Sequence, residues 1–165
     1  MPLLRDYIEP RNCSGSEMAL EDLYREVILD HYRNPRNRQP LTVADATADG
    51  VNPLCGDEVT VQVVFVDDRI NDISVRGHGC SISQSSGSMM SEAIKGLDRG
   101  EVQLLAQKFH QMLTAENGDG PLDVERPGSY LGDLEALQGV RRYPVRIKCA
   151  ALPWTTLEQA LAEIS

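Results

Sequence analysis

Residues 58–76, EVTVQVVFVDDRINDISVR, decide the fold. Val59, Val61, Val63 and Phe65 share one face, with Thr60 and Gln62 opposite. That two-residue period belongs to a strand with one side covered. Asp67-Asp68-Arg69 supplies a turn, and Ile70 to Arg76 returns with Ile73 and Val75 facing inward. The result is an antiparallel hairpin with one face on the core. Upstream, Val43 to Val51 suits a short first strand.

Working outward, the period changes from two to between three and four. Leu20, Leu23, Tyr24, Val27, Ile28 and His31 form the apolar stripe of a helix, which Asn34-Pro35 closes. Ser81 to Lys95 carries Ile82, Met89, Met90, Ala93 and Ile94 at helical spacing and stops at Gly96. Its serines lower helix propensity but permit close packing. Val102, Leu105, Ala106, Phe109, Met112 and Leu113 mark another helix. Thr114 to Gly132 is rich in Gly, Pro, Asp and Glu and reads as a long surface insertion. A last helix, bearing Leu152, Leu157, Leu161 and Ile164, is expected to begin just after Cys149. The class is α+β: a small antiparallel β-sheet of about three strands with flanking α-helices.

With 165 residues the chain supports one hydrophobic core. Residues 1–17 form a loose leader containing Cys13, with Met18 a candidate natural start, and 18–165 one domain. The net charge of −9 opposes nucleic-acid binding, which depends on neutralising phosphates. No apolar run approaches a membrane span, and the start lacks the pattern of a secretion signal. A cytoplasmic location is expected, and there cysteines serve as metal ligands or nucleophiles more readily than in disulfides.

Three cysteines stand where elements end. Cys55 lies in the turn-prone Asn52-Pro53-Leu54-Cys55-Gly56-Asp57, Cys80 follows Gly77-His78-Gly79, and Cys149 follows Arg146-Ile147-Lys148. Cys80 and Cys149, placed at expected helix starts, would be favoured as thiolates by the unpaired N–H groups there. Three thiolates with Asp57 make the four ligands of tetrahedral Zn²⁺, and Arg76, Arg146 and Lys148 would offset the excess negative charge. Spacing leaves the alternative open: none of these is a CxxC pair, each cysteine also suits a core position, and Asp57 also suits a turn. His31 is expected to pack on the first helix and His110 to face solvent or the core edge, while His78 is a candidate for a spare ligand or for supporting the ligands.

Across about Leu20 to Leu161 the chain resembles the NifU/IscU-like family of iron–sulfur cluster assembly proteins. The resemblance rests on Leu23-Tyr24 to Asn34-Pro35, Asn52 to Asp57, Gly79-Cys80-Ser81-Ile82-Ser83, Ser88-Met89-Met90, Ala93-Ile94-Lys95-Gly96 and Arg146 to Cys149. It implies a SufE/NifU-like fold in which Cys55, Asp57, Cys80 and Cys149 meet as metal ligands. Scaffolds of the IscU type have a histidine before the third cysteine, where this chain has Lys148. Together with the extra segment at about 118–139, this is similar to the SufU branch. The resemblance therefore implies a Zn²⁺ site and a sulfurtransferase-like acceptor that takes persulfide sulfur from a SufS-type cysteine desulfurase, with Cys55 as acceptor. Other iron–sulfur assembly proteins would be further partners. The alternative is a scaffold holding iron or a [2Fe–2S] cluster on the same residues.

Overall fold

The three strands are β1 (Ala46–Asn52), β2 (Asp57–Val66) and β3 (Arg69–His78), antiparallel in the order β1-β2-β3. These coordinates are a computed structural model, and residues 17–115, 126 and 128–164 are described. The leader, up to its last residue, and Cys13 lie outside the described residues, as do residues 116–125 and 127 of the insertion. Val61 pairs with Ala48 on one side and Val75 on the other, so one register lines up the apolar faces of all three strands. Val59, Val61, Val63, Ile70 and Ile73 are buried beneath the helices.

The helices are α1 (Glu17–Arg33), α2 (Ser81–Ile94), α3 (Arg99–Thr114) and α4 (Pro144–Ala162). Asp98 and Glu101 cap α3 reciprocally, each accepting the other's backbone N–H. Phe109 of α3 stacks on Trp154 of α4 at 4.8 Å between ring centroids. Among the described residues no helix is long and apolar enough to cross a membrane.

The serines of α2 work as the sequence suggests. Ser83, Ser85, Ser86, Ser88 and Ser91 are buried, and Ser86 donates a 2.6 Å hydrogen bond to the Ala150 carbonyl of α4. A short side chain at each contact lets α2 and α4 approach closely, which brings Cys80 and Cys149 into one neighbourhood.

The described end of the insertion is more deeply packed than its composition suggests. Gly132–Arg142 forms a 3₁₀-helix. Leu131, Leu134, Leu137 and Val140 recur every third residue and are buried, matching three residues per turn. Its Asp133 meets His31 Nε2 at 3.1 Å, and the other ring nitrogen meets Ser88 Oγ at 2.8 Å. His31 thus does more than pack on its own helix: it ties α1, α2 and the 3₁₀ segment together just before α4 begins.

Candidate metal centre

The centre is built from two strand ends and two helices. β1 ends at Asn52, which stands opposite Asp57 at the start of β2. The four residues between them, Pro53 to Gly56, form the tip that carries Cys55. The Cys55 N–H donates to the Asn52 carbonyl at 3.3 Å, and Gly56 closes the turn at φ +69°, where a side chain would be strained. On the neighbouring strand, β3 runs out at His78, and Gly79 leads into Cys80, the N-cap of α2.

Cys80 and Asp57 are joined twice. The Cys80 N–H donates to Asp57 Oδ1 at 2.7 Å, and the thiol lies 3.7 Å from Oδ2. The Ser83 N–H donates to Cys80 Sγ at 3.5 Å, an N-cap bond made by sulfur. Cys149 is fully buried and its thiol lies 3.2 Å from Cys55 Sγ. Ligand atoms of Cys55, Asp57 and Cys149 all fall within 4.8 Å of one another, the only such potential metal-binding group among the described residues. Cys80 adjoins this group through Asp57.

Burial alone would raise the Asp57 pKa, but the Cys80 N–H and the neighbouring thiols and hydroxyl outweigh it and hold the carboxyl below its usual range. Cys149 moves the opposite way. Burial, and then its hydrogen bonds with Cys55 and Asp57, push its thiol well up. The protonated Cys149 therefore donates to Cys55, and binding a cation must release that proton. Electrostatic interaction and a hydrogen bond with Cys80 raise the Arg146 pKa, so the guanidinium of this exposed residue serves as a counter-charge.

Cys55, Asp57 and Cys149 supply three donors of the kind that suits a tetrahedral d¹⁰ ion, with Cys80 outside their 4.8 Å group. Ligands at about 2.0–2.3 Å from zinc lie roughly 3.5–3.8 Å apart at the corners of the tetrahedron. The 3.7 Å contact of Cys80 with Asp57 matches that spacing, and the Cys55–Cys149 contact needs only a slight opening.

One sequence expectation is corrected. α4 begins at Pro144, not after Cys149, so Cys149 sits in the second turn, away from the unpaired N–H groups. Of the two cysteines, only Cys80 stands at a helix N-terminus, as the N-cap of α2. Arg76 also turns elsewhere, its guanidinium donating to Gln62 at 3.5 Å. His78 is exposed beside Glu58 at 3.6 Å, and His110 beside Glu158 at 3.7 Å. Asn52 and Ser83, which no motif singled out for a role, both donate hydrogen bonds to ligand-candidate sulfurs.

Gly79 is required where β3 meets α2. Its φ is +150°, and a Cβ there would collide with the Asp57 carboxylate and Cα. Gly79→Ala is therefore expected to separate Cys80 from Asp57 and to lower metal affinity about 10–100-fold, measured by chelator competition. Gly96→Ala, at another positive φ but with open space around its Cβ, is the control expected to keep wild-type affinity.

Residues 23–161 match the NifU-like N-terminal domain, and the chain belongs to that family. It is 42% identical over 144 residues to the zinc-dependent sulfurtransferase SufU of Bacillus subtilis, covering 87% of this chain and 92% of that one. It is 37% identical to the iron–sulfur cluster assembly scaffold protein IscU of Streptococcus pyogenes, over 86% of this chain and 84% of that one. Among solved structures, a putative iron–sulfur cluster assembly scaffold protein for the SUF system from Fervidobacterium islandicum superposes with a TM-score of 0.72 at 34% identity, covering 82% of this chain and 94% of its own.

Proposed function

We propose that this chain is a zinc-dependent sulfur acceptor that takes persulfide sulfur from a SufS-type cysteine desulfurase for iron–sulfur cluster assembly. The observation that carries this reading is the packing of Cys55, Asp57 and Cys149 ligand atoms within 4.8 Å, with Cys80 bonded to the same carboxylate. The 42% identity to a zinc-dependent sulfurtransferase supports it. So does Lys148, which stands where scaffolds of the IscU type have a histidine.

Zn²⁺, held by Cys55, Asp57, Cys80 and Cys149, would keep the thiols deprotonated and shielded from oxidation when bound. The chain's residues then divide the work. Cys55, on the glycine-flanked tip, is the thiol free to move. Its thiolate attacks the outer sulfur of the donor persulfide, the donor S–S bond breaks, and the donor cysteine leaves as thiolate. Cys55 then carries the sulfur. Asp57 and Cys80, joined to each other and to α2, are the fixed side. Arg146 supplies positive charge as negative sulfur enters. Val51, Leu54, Tyr143 and Val145, beside the tip and the start of α4, remain exposed and offer the partner an apolar rim.

Metal analysis of freshly purified protein tests the reading: colourless protein with one zinc per chain is expected. The second reading, a [2Fe–2S] scaffold, draws on the 37% identity to IscU of Streptococcus pyogenes. Brown protein with stoichiometric iron and sulfide after anaerobic reconstitution would replace the first reading with the second.

A further inference from the structure

We infer that Asn52 is a positioning residue of the sulfur-accepting site, anchoring the Cys55 tip with its side-chain oxygen and holding Cys149 with its amide NH₂. The inference rests on the proposed sulfur-acceptor reading and assigns a task to a residue that is not itself a ligand.

Asn52 is only 6% exposed, so its polar atoms need partners within the protein. It has three. Its side-chain oxygen accepts the Leu54 N–H at 3.2 Å, its carbonyl accepts the Cys55 N–H at 3.3 Å, and Nδ2 lies 3.6 Å from Cys149 Sγ. The orientation of the amide is fixed by chemistry. Leu54 N–H is a donor, so the atom facing it must be oxygen, and the NH₂ is left to face sulfur. Asp57, opposite Asn52 across the strand pair, meets Cys80 in the opposite sense, accepting its backbone N–H. The last residue of β1 and the first of β2 thus hold one cysteine each, and the acceptor sits on the tip between them.

Two consequences follow for sulfur transfer. The anchors at Leu54 N–H and Gly56 confine movement to the tip, so Cys55 can leave its neighbours without disturbing β1 or β2. A neutral donor aimed at Cys149 Sγ holds that side chain in place while Cys55 moves. Asparagine supplies both features in one side chain. Serine can supply only the turn acceptor, and aspartate would place an acceptor and a negative charge against the sulfur.

Asn52→Asp and Asn52→Ser in the full chain both keep a turn acceptor and remove the donor to Cys149, and they differ in the negative charge that aspartate adds. Zinc affinity by competition with a chromophoric chelator is expected to fall about 10–100-fold in Asn52→Asp and less in Asn52→Ser. In Co²⁺-substituted protein the sulfur-to-cobalt charge-transfer band is expected to shift in both, because the hydrogen bond to Cys149 is lost. A merely structural asparagine would lower the melting temperature of the metal-free protein and leave that band in place. Affinity and band both indistinguishable from wild type in the two variants, or a fall in melting temperature alone, would overturn the inference. Wild-type protein that takes up neither zinc nor cobalt would instead overturn the sulfur-acceptor reading, and this inference with it.

Discussion

Cys55→Ser is expected to abolish sulfur acceptance, with stimulation of desulfurase turnover falling about 10³-fold or more towards the acceptor-free rate. The hydroxyl of serine does not ionise near neutral pH and cannot open a persulfide, whereas a thiolate can. Structure separates this loss from a loss of metal. Asp57 opens β2, Cys80 is the N-cap of α2 and Cys149 lies within α4, none of them on the tip, so three donors persist. The variant is therefore expected to keep zinc and its fold while failing to gain a sulfur atom on the peptide containing residue 55. Mass spectrometry after incubation with desulfurase and cysteine reads the transfer directly. Full stimulation by Cys55→Ser would move the acceptor role to Cys80 or Cys149. The geometry speaks against Cys149, which is fully buried and donates its proton to Cys55.

The strands were legible because their period is independent of distant partners. Val59, Val61 and Val63 declare one face, and the observed register confirms it. The start of α4 was hidden by local sequence. Tyr143, Val145 and Ile147 alternate with Arg146 and Lys148 as a strand would, and the helical signal is Pro144, whose missing N–H is harmless at a first turn. That six-residue displacement moves Cys149 away from the N-terminal N–H groups that were expected to favour its thiolate. The His31 tie was hidden for another reason. Its partners lie 57 and 102 residues away, and no local pattern reports such a pairing. The four candidate ligands stand in legible motifs, yet their spacing alone does not bring them together. Their meeting depends on Ser86 and Gly87 letting α4 pack onto α2, a property of tertiary contact.

Removing the metal by chelation is expected to lower the melting temperature by about 8–16 °C without unfolding the chain. Zinc fingers unfold on metal loss because the ion stands in for a core. Here Phe109, Trp154, Leu157, Leu134 and Val61 are buried in a core that does not include the metal centre. The loss should therefore be the linkage free energy alone, about 4 kcal/mol when free zinc exceeds its dissociation constant a thousandfold. A domain of this size changes its melting temperature by about 2–4 °C per kcal/mol, which gives the range. Charge repulsion adds little, because Cys149 recovers its proton and donates to Cys55 once the ion leaves. Loosening should concentrate at Leu54 to Gly56 and Gly77 to Cys80, where backbone amides would exchange faster in the metal-free form. Scanning calorimetry with and without chelator, paired with hydrogen exchange, measures both. A melting curve unchanged by complete metal removal would mean that these four residues do not bind zinc in the folded chain.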